Sequence, residues 1–501
     1  MTALTAALFL GLAATSAVRA EPGVLDICDD EYEPVTLDPR REFSEKNHTI
    51  LQQLFEGLVR FDPEGRIEPA LAVSWSRVDP LTVEFKLREG VRFHNGEPLD
   101  AEAVRSSLES FVDPAKGFPG VGLLNSIERI EAVDARTVRV RTRFPDGVLL
   151  HRLAGLVTIL PPRAAAEMGE QRFATSPVGT GPFLFAGWEK GRNIRLDANP
   201  SYWAGSPRFR RIVFHFLPVE KQVEGLLKGE IDIVTELPGT ATLRVMKSEH
   251  ARIVKKKTFY TVGGSLNIST GPLRDLRVRQ ALNHAINRAE LVRYDLLGNG
   301  TPLATLSMPG EIGHDPELVP YRYDPIKARR LLAEAGYPNG VTLKGVVKAQ
   351  GERTLRIVSP QLKRVGIRLE TQLTTDATVI QDIQSKHWDF TFGGCPDPLA
   401  HSFFIQSIFL SSVSPYSLLH YPEYDSLLRR MVETLEPAEQ HRAGMLLDRF
   451  MQQEALSIFT YQRIKTYGVA KNVEFVPAVT GMPYLHLSYP HEKKPEAGPV
   501  R

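Results

Sequence analysis

Asp275 to Leu291 reads DLRVRQALNHAINRAEL. Val278, Ala281, Leu282, Ala285 and Ile286 recur at the i, i+3, i+4, i+7, i+8 spacing of one helical face. Asp275 stands where a side chain can cap the first free N–H groups. The stretch is therefore expected to be one amphipathic helix. Tyr323 to Tyr337 (YDPIKARRLLAEAGY) repeats the pattern, with Asp324 as N-cap, Pro325 at the first helical position and Gly336 ending it. Around these helices lie β-branched or alternating runs: Val83 to Leu87, Thr137 to Arg141, Asn193 to Leu196, Arg211 to Phe216, Val341 to Val347 and Ile367 to Gln372. Asn95-Gly96 marks a turn, and Asp100 opens the helix after it. The pattern is mixed α/β with more than one sheet.

At 501 residues the chain exceeds what one core organises, so two or three domains are expected. A hydrophobic content of 42% supplies a sizeable core, and a net charge of +2 gives no field favouring nucleic acid or an anionic membrane. Lys255-Lys256-Lys257 is read as a solvated strand edge rather than a binding patch. Met1 to Ala20 (MTALTAALFLGLAATSAVRA) joins an apolar run to the small-residue step Val18-Arg19-Ala20, the form of a secretory signal peptide cleaved near Ala20. The next most apolar stretch, Leu149 to Leu160, is broken by His151 and Arg152, so export rather than membrane insertion is expected. Cys28 and Cys395 are read as two buried thiols rather than a disulfide. Asp26 before Cys28 argues against a lipid attachment site. The tail His491 to Arg501 is rich in Lys, Pro and Gly.

Catalytic signatures are missing from the sequence. It contains no G-x-S-x-G elbow, no H-E-x-x-H and no Gly-Lys step of a phosphate-binding loop. No two of the thirteen histidines lie within four residues of each other, so no helix-borne metal pair is expected. Gly179-Thr180-Gly181-Pro182 lacks the third glycine of a dinucleotide fingerprint and reads as a turn into the strand Phe183 to Phe185. The reading is a protein without enzymatic activity, cofactor or metal.

Several blocks occur in a set order. They are Leu37-Asp38-Pro39, LFEGLVRFDPEGRIEPALAVSW (Leu54 to Trp75) and FKLREGVRFHNGEPLDAEAV (Phe85 to Val104). GTGPFLFAGWEKGRNIRLDANPSYW (Gly179 to Trp203), LLKGEIDIV (Leu226 to Val234) and the two helices above follow, then QLKRVGIRLE. This set resembles the peptide- and nickel-type (family 5) extracytoplasmic solute-binding proteins of ATP-binding-cassette (ABC) importers, which include dipeptide- and oligopeptide-binding proteins. The resemblance implies an α/β fold of two lobes, the periplasmic-binding-protein fold of cluster C type, with an extra small domain. Residues 21–60, 176–264 and 466–501 would form lobe I, with 61–175 inserted as the extra domain, and 265–465 would form lobe II. The implied function is cleft closure around a peptide or peptide-like solute in the periplasm, followed by delivery to permease and ATPase subunits. The alternatives are a nickel chelate, an opine or a glycan as cargo, and more remotely an exported enzyme. A monomer without nucleic-acid partner is expected.

In peptide-binding members an acidic residue just before an Asp-Pro step grips the ligand's α-amino group. The matching stretch is TFGGCPDPLAHSFF (Thr391 to Phe404), and the matching position is Gly394. That departure puts the amine grip in doubt, and Asp397 is expected to pin its loop. Phe43 and Ser44, Tyr260, Thr261 and Gly263 at the lobe crossing, Gly394, Asp397, His401 and Phe403 are the candidate ligand contacts. Gly263-Gly264 would permit close backbone approach or hinge rotation. Phe392 and Trp388 are cleft candidates by position, each more often core.

Overall fold

The computed structural model describes residues 23–29, 31–42 and 44–491. Among these residues eleven strands form one continuous sheet. Its order is Ile367–Thr374, Val341–Lys348, Phe390–Pro396, Ala251–Gly263, Tyr461–Ala470, Ile233–Val234, Val24–Cys28, Arg211–His215, Asn193–Ala198 and Phe183–Glu189, with Gly300–Pro302 paired to Tyr461–Ala470. Val341–Lys348 pairs in parallel with Ile367–Thr374, in the register Val341↔Ile367 to Lys348↔Thr374. Val24–Cys28 pairs in parallel with Arg211–His215 and with Ile233–Val234. Two long antiparallel strands, Ala251–Gly263 and Tyr461–Ala470, join these two parallel regions. Their register shifts between Lys257 and Thr261, a β-bulge that bends the strand where it passes between the regions.

A second, antiparallel sheet of four strands runs in the order Ala72–Asp79, Thr82–Leu87, Thr137–Thr142, Ile127–Asp134. The helix Ala101–Val112 covers it, burying Val104, Leu108 and Phe111. Asp100 Oδ1 accepts the Ala103 N–H at 2.8 Å and caps that helix. Asp100→Ala is expected to lower stability by about 1 kcal/mol, read from the urea midpoint, because the N–H loses its partner.

Two large apolar cores and two small ones emerge among the described residues. One runs from Leu25 and Ile27 through the four-stranded sheet to Phe404, Leu410, Leu428 and Leu447. The other packs Val278, Leu282, Leu331, Leu355 and Val358 against Leu343 and Ile367. Leu303, Leu399 and the helices Phe403–Leu410, Pro422–Glu433 and Pro437–Gln453 therefore share the first core, although the resemblance groups them with 265–465.

The stripe Val278, Ala281, Leu282, Ala285, Ile286 is completely buried, as its spacing requires. The single helix expected over Asp275 to Leu291 is instead two, Leu276–His284 and Arg288–Tyr294. The cause is tertiary. Gln361 Oε1 takes the Asn287 N–H at 2.9 Å, and the Asn287 side chain caps the second helix at Glu290 N. The helix expected at Tyr323 to Tyr337 forms over Pro325–Glu334 with Asp324 as cap. All six strand candidates form. Lys255 to Lys257 lie on a stretch paired on one side, with Thr466, Lys465 and Ile464, and Lys256 forms an ion pair with Glu64 at 2.5 Å. No disulfide joins the two cysteines. Cys28 is buried, and burial pushes its thiol up to about 12. Cys395 is half-buried, not buried as expected, because it lies near the end of Phe390–Pro396.

Candidate functional site

The bulge in the first crossing strand places Tyr260 beside the strand Phe390–Pro396, with Tyr260 paired to Pro396 and Val262 to Gly394. A Cβ at position 394 would overlap the Tyr260 hydroxyl and press on Gln350. The tyrosine thus fills the volume that a side chain at 394 would need. The Arg463 guanidinium stacks 4.0 Å from the centre of the Tyr260 ring. Glu236 holds Arg463 at 3.2 Å and Lys465 at 3.1 Å. Burial works to raise the Glu236 carboxyl, but Arg463 and Lys465 outweigh it and hold the group below the usual carboxylate range. On the other side Lys348 runs along Gly393 and forms an ion pair with Asp376. This surface joins the two parallel regions of the sheet and is half-buried at Tyr260.

Beyond Gly394 the chain turns into the Asp-Pro loop. Asp397 accepts the Leu399 N–H at 2.7 Å and the His401 N–H at 2.8 Å, so it pins its own loop. Burial pushes its carboxyl up to about 7. Burial also pushes His401 well below the usual histidine range, with His151 and Arg152 nearby adding to the effect. His401 Nδ1 accepts the Phe403 N–H at 3.0 Å, which fixes the proton on Nε2. The His151 ring meets the His401 ring edge-on at 5.2 Å, and its Nδ1–H donates to the Leu399 carbonyl at 2.8 Å. Phe403 lies under the Arg152 guanidinium at 4.1 Å.

The candidate contacts therefore separate into groups. Tyr260 and Gly394 come together on the half-buried surface. Asp397, His401 and Phe403 form a buried cluster on the loop that follows. Thr261 is buried and donates its hydroxyl to the Tyr461 carbonyl at 2.9 Å, so it ties the crossing strands rather than facing a solute. Gly263 pairs with Gly393, and a Cβ there would press on Leu306. Ser44 caps the helix Glu45–Leu54 through Asn47 N and donates to Glu42 Oε1 at 2.6 Å. Phe43 lies outside the described residues. Trp388 and Phe392 are buried, as core residues are. Sequence reasoning missed Glu236, Lys348, Arg463 and His151. None carries a local motif, and Glu236 and Arg463 are 227 residues apart. Among the described residues no group of three His, Cys, Asp or Glu side chains could hold a metal ion.

The model for the bacterial extracellular solute-binding proteins, family 5, matches residues 66–415. The chain belongs to this family. Its members bind a solute for an ABC importer, and the mixed α/β architecture described above is consistent with their two-lobe fold. The glutathione-binding protein GsiB of Escherichia coli K12 is 27% identical over 437 residues, covering 84% of this chain and 85% of GsiB. GsiB of Pectobacterium atrosepticum is 30% identical over 341 residues, covering 67% and 66%. Among solved structures, the periplasmic binding protein AgaA of A. tumefaciens R10, in complex with agropinic acid, superposes with a TM-score of 0.81 at 24% identity over 94% of this chain and 99% of AgaA. The dipeptide-binding protein of Pseudoalteromonas sp. SM9913, in complex with Met-Leu, gives a TM-score of 0.81 at 21% identity over 93% and 100%.

Proposed function

We propose that this family 5 protein receives a peptide or peptide-like solute that presents no ammonium group at Gly394. It closes over that solute and hands it unchanged to the permease and ATPase of an importer. One observation carries the choice of cargo: Tyr260, backed by Arg463, fills the position where peptide-binding members are expected to hold an acidic side chain. Asp397 is no substitute. It is buried, and its two oxygens are already engaged by the Leu399 and His401 amides. The proposed contacts are Tyr260 and Gly394, joined by Lys348, Gln350 and Arg463, with Phe43 and Ser44 carried over from the resemblance alone. The resemblance to GsiB, a glutathione-binding protein, supports a peptide-like cargo. A second reading, an opine-type acid, is favoured by the missing amine grip together with the structural likeness to AgaA.

The same proposal assigns residues 1–20 as an export signal removed near Ala20, which lies outside the described residues, and places the mature protein in the periplasm as a monomer. Lobe I would be residues 21–60, 176–264 and 466–501, with 61–175 inserted as the extra domain and 265–465 as lobe II. The two crossing strands would be the hinge.

The test compares a free peptide, its N-acetylated form and an opine by calorimetry. Loss of a buried acid–amine pair costs about 3–5 kcal/mol, more than a hundredfold in Kd. Here acetylation is expected to weaken binding less than about tenfold, or the opine alone is expected to bind. Abolition of binding by acetylation, matched by the same loss in Asp397→Asn, would show that Asp397 holds the amine and would overturn the reading. Recovery of a chemically altered ligand would overturn the non-enzymatic part.

A further inference from the structure

Two segments share one edge of the crossing strand Tyr461–Ala470. Gly300–Pro302 pairs with Tyr461 to Arg463, and the Asn299 carbonyl accepts the Ile464 N–H at 2.9 Å. Immediately beyond, the Thr466 carbonyl accepts the Leu237 N–H at 3.0 Å, and Ile233–Val234 pairs with Val469 and Gly468. The two segments therefore abut on either side of Lys465. They are anchored in different cores. Leu237 and Ala241 sit in a small core with Cys28, Leu226 and Val245. Val292 and Leu296 pack against the core of Leu282 and Leu355.

Where the segments abut, Leu297 lies on Gly239. A Cβ at 239 would overlap Leu297 Cδ1, and Leu297 Cγ and Cβ would lie 3.2 and 3.4 Å from it, so turning only the methyl end of the leucine does not clear the space. Gly239 opens the short helical turn Gly239–Ala241 and is not left-handed, so space rather than backbone asks for glycine there. Leu297 itself holds an uncommon conformation. Past the helix Arg288–Tyr294 the chain reverses through Leu297 and Gly298, at φ 50° and 87°, and the Gly298 N–H bonds the Val292 carbonyl at 2.8 Å. Glycine meets that geometry freely, whereas the Cβ of leucine crowds the following carbonyl. Leu297 is also 50% exposed, so burial offsets little of the strain. Local chemistry disfavours a leucine at this position, and what it gains is the contact with Gly239.

The ion pairs of Glu236 with Arg463 and Lys465 span the same joint. Long charged side chains follow a small rotation of the segments. A side chain pressed on backbone does not, because the repulsion rises steeply within a few tenths of an ångström. The steric contact, not the ion pairs, therefore decides how closely the segments approach.

We infer that Leu297 on Gly239 is a stop at the hinge, which limits how far residues 233–239 and 297–302 rotate towards each other and so sets the angle between the lobes before a solute arrives. The inference rests on the reading of these segments as parts of separate lobes joined by the crossing strands. It does not depend on the identity of the cargo. Closure starts from the angle that the stop permits, and the apparent Kd varies inversely with the fraction of molecules already in the cargo-holding arrangement.

The test is electron–electron double resonance on the full chain without solute, which reads the distance between two spin labels. One pair, Glu220→Cys with Glu370→Cys, places an exposed label in each lobe, and a second pair, Glu220→Cys with Glu249→Cys, lies within lobe I. Cys395→Ser is the background, and Cys28 is left in place because it is buried and its thiol is pushed up to about 12. Gly239→Ala enlarges the stop and Leu297→Ala reduces it. The two are expected to shift the interlobe distance in opposite directions, the double variant to return it to the wild-type value, and the pair within lobe I to stay unmoved. Leu297→Gly is expected to shift the interlobe distance as Leu297→Ala does, with a urea midpoint no lower than that of Leu297→Ala, because glycine relieves the left-handed strain. If neither label pair moves in the single variants, or the interlobe pair moves the same way in both, the stop is overturned and the two-lobe reading stands. If the pair within lobe I moves as well, the units are not rigid lobes, and both readings are overturned. Should Gly239→Ala not fold, Leu297→Phe takes its place as the enlarged stop, with the same expected sign.

Discussion

Asp146→Ala is expected to destabilise the protein by about 3–5 kcal/mol, read from the urea midpoint at constant m-value. Arg152 is 2% exposed and Asp146 0%, with Arg152 Nε 3.0 Å from Asp146 Oδ2. The guanidinium also donates to the Leu123 carbonyl and lies over Phe403. Removing the carboxylate leaves a cation in a dry site with only neutral partners. The cost belongs to that orphaned charge, not to the bond itself. The double variant Asp146→Ala/Arg152→Met should therefore recover much of the loss, because the methionine can fill the channel without a charge to solvate. A single variant within about 1 kcal/mol of wild type would mean that water reaches Arg152. The variant also tests a contact between two helices distant in sequence. Arg152 lies on Leu149–Leu156, whereas Phe403 belongs to the helix after the Asp-Pro loop.

Gly264→Ala is expected to cost about 3 kcal/mol or more, at the upper end of what overpacking produces. A Cβ there would overlap the Thr391 carbonyl oxygen and crowd the Phe392 backbone. Backbone cannot rotate aside as a side chain can, so the strand Phe390–Pro396 must move. That would disturb the Ser265 carbonyl to Thr391 N–H bond of 2.9 Å and the Ser457 hydroxyl to Gly264 carbonyl bond of 2.5 Å. Ligand-induced thermal shift should be lost as well, since Gly394 lies on the displaced strand. Gly90→Ala is the contrast. Nothing lies within 4 Å of a Cβ at 90, and its φ of 74° alone penalises the substitution, by about 1–2 kcal/mol. Equal effects of the two changes would show that backbone conformation, not space, governs Gly264.

Local chemistry made a large part of the fold legible in the sequence. Asp100, Asp275 and Asp324 cap helices where their spacing predicted, because a cap bonds an N–H two or three residues away. The apolar stripe from Val278 to Ile286 is buried because its period alone sets which face it occupies. The ordered blocks carried the family. The sequence also placed Gly394 opposite an expected acid, and so raised the doubt about a peptide amine. What it could not determine was what stands there instead. Tyr260 reaches Gly394 across 134 residues only because a bulge in the crossing strand redirects it, and Arg463 reaches Glu236 across 227. The break at Asn287 came from Gln361, 74 residues away, taking an N–H that the local pattern had committed to a helix. Contacts between distant segments leave no periodicity in a single chain, because either partner alone is an ordinary residue. Caps, strands and apolar faces are decided by neighbours in sequence; the stacked tyrosine and the buried ion pair are decided by which segments the sheet brings together.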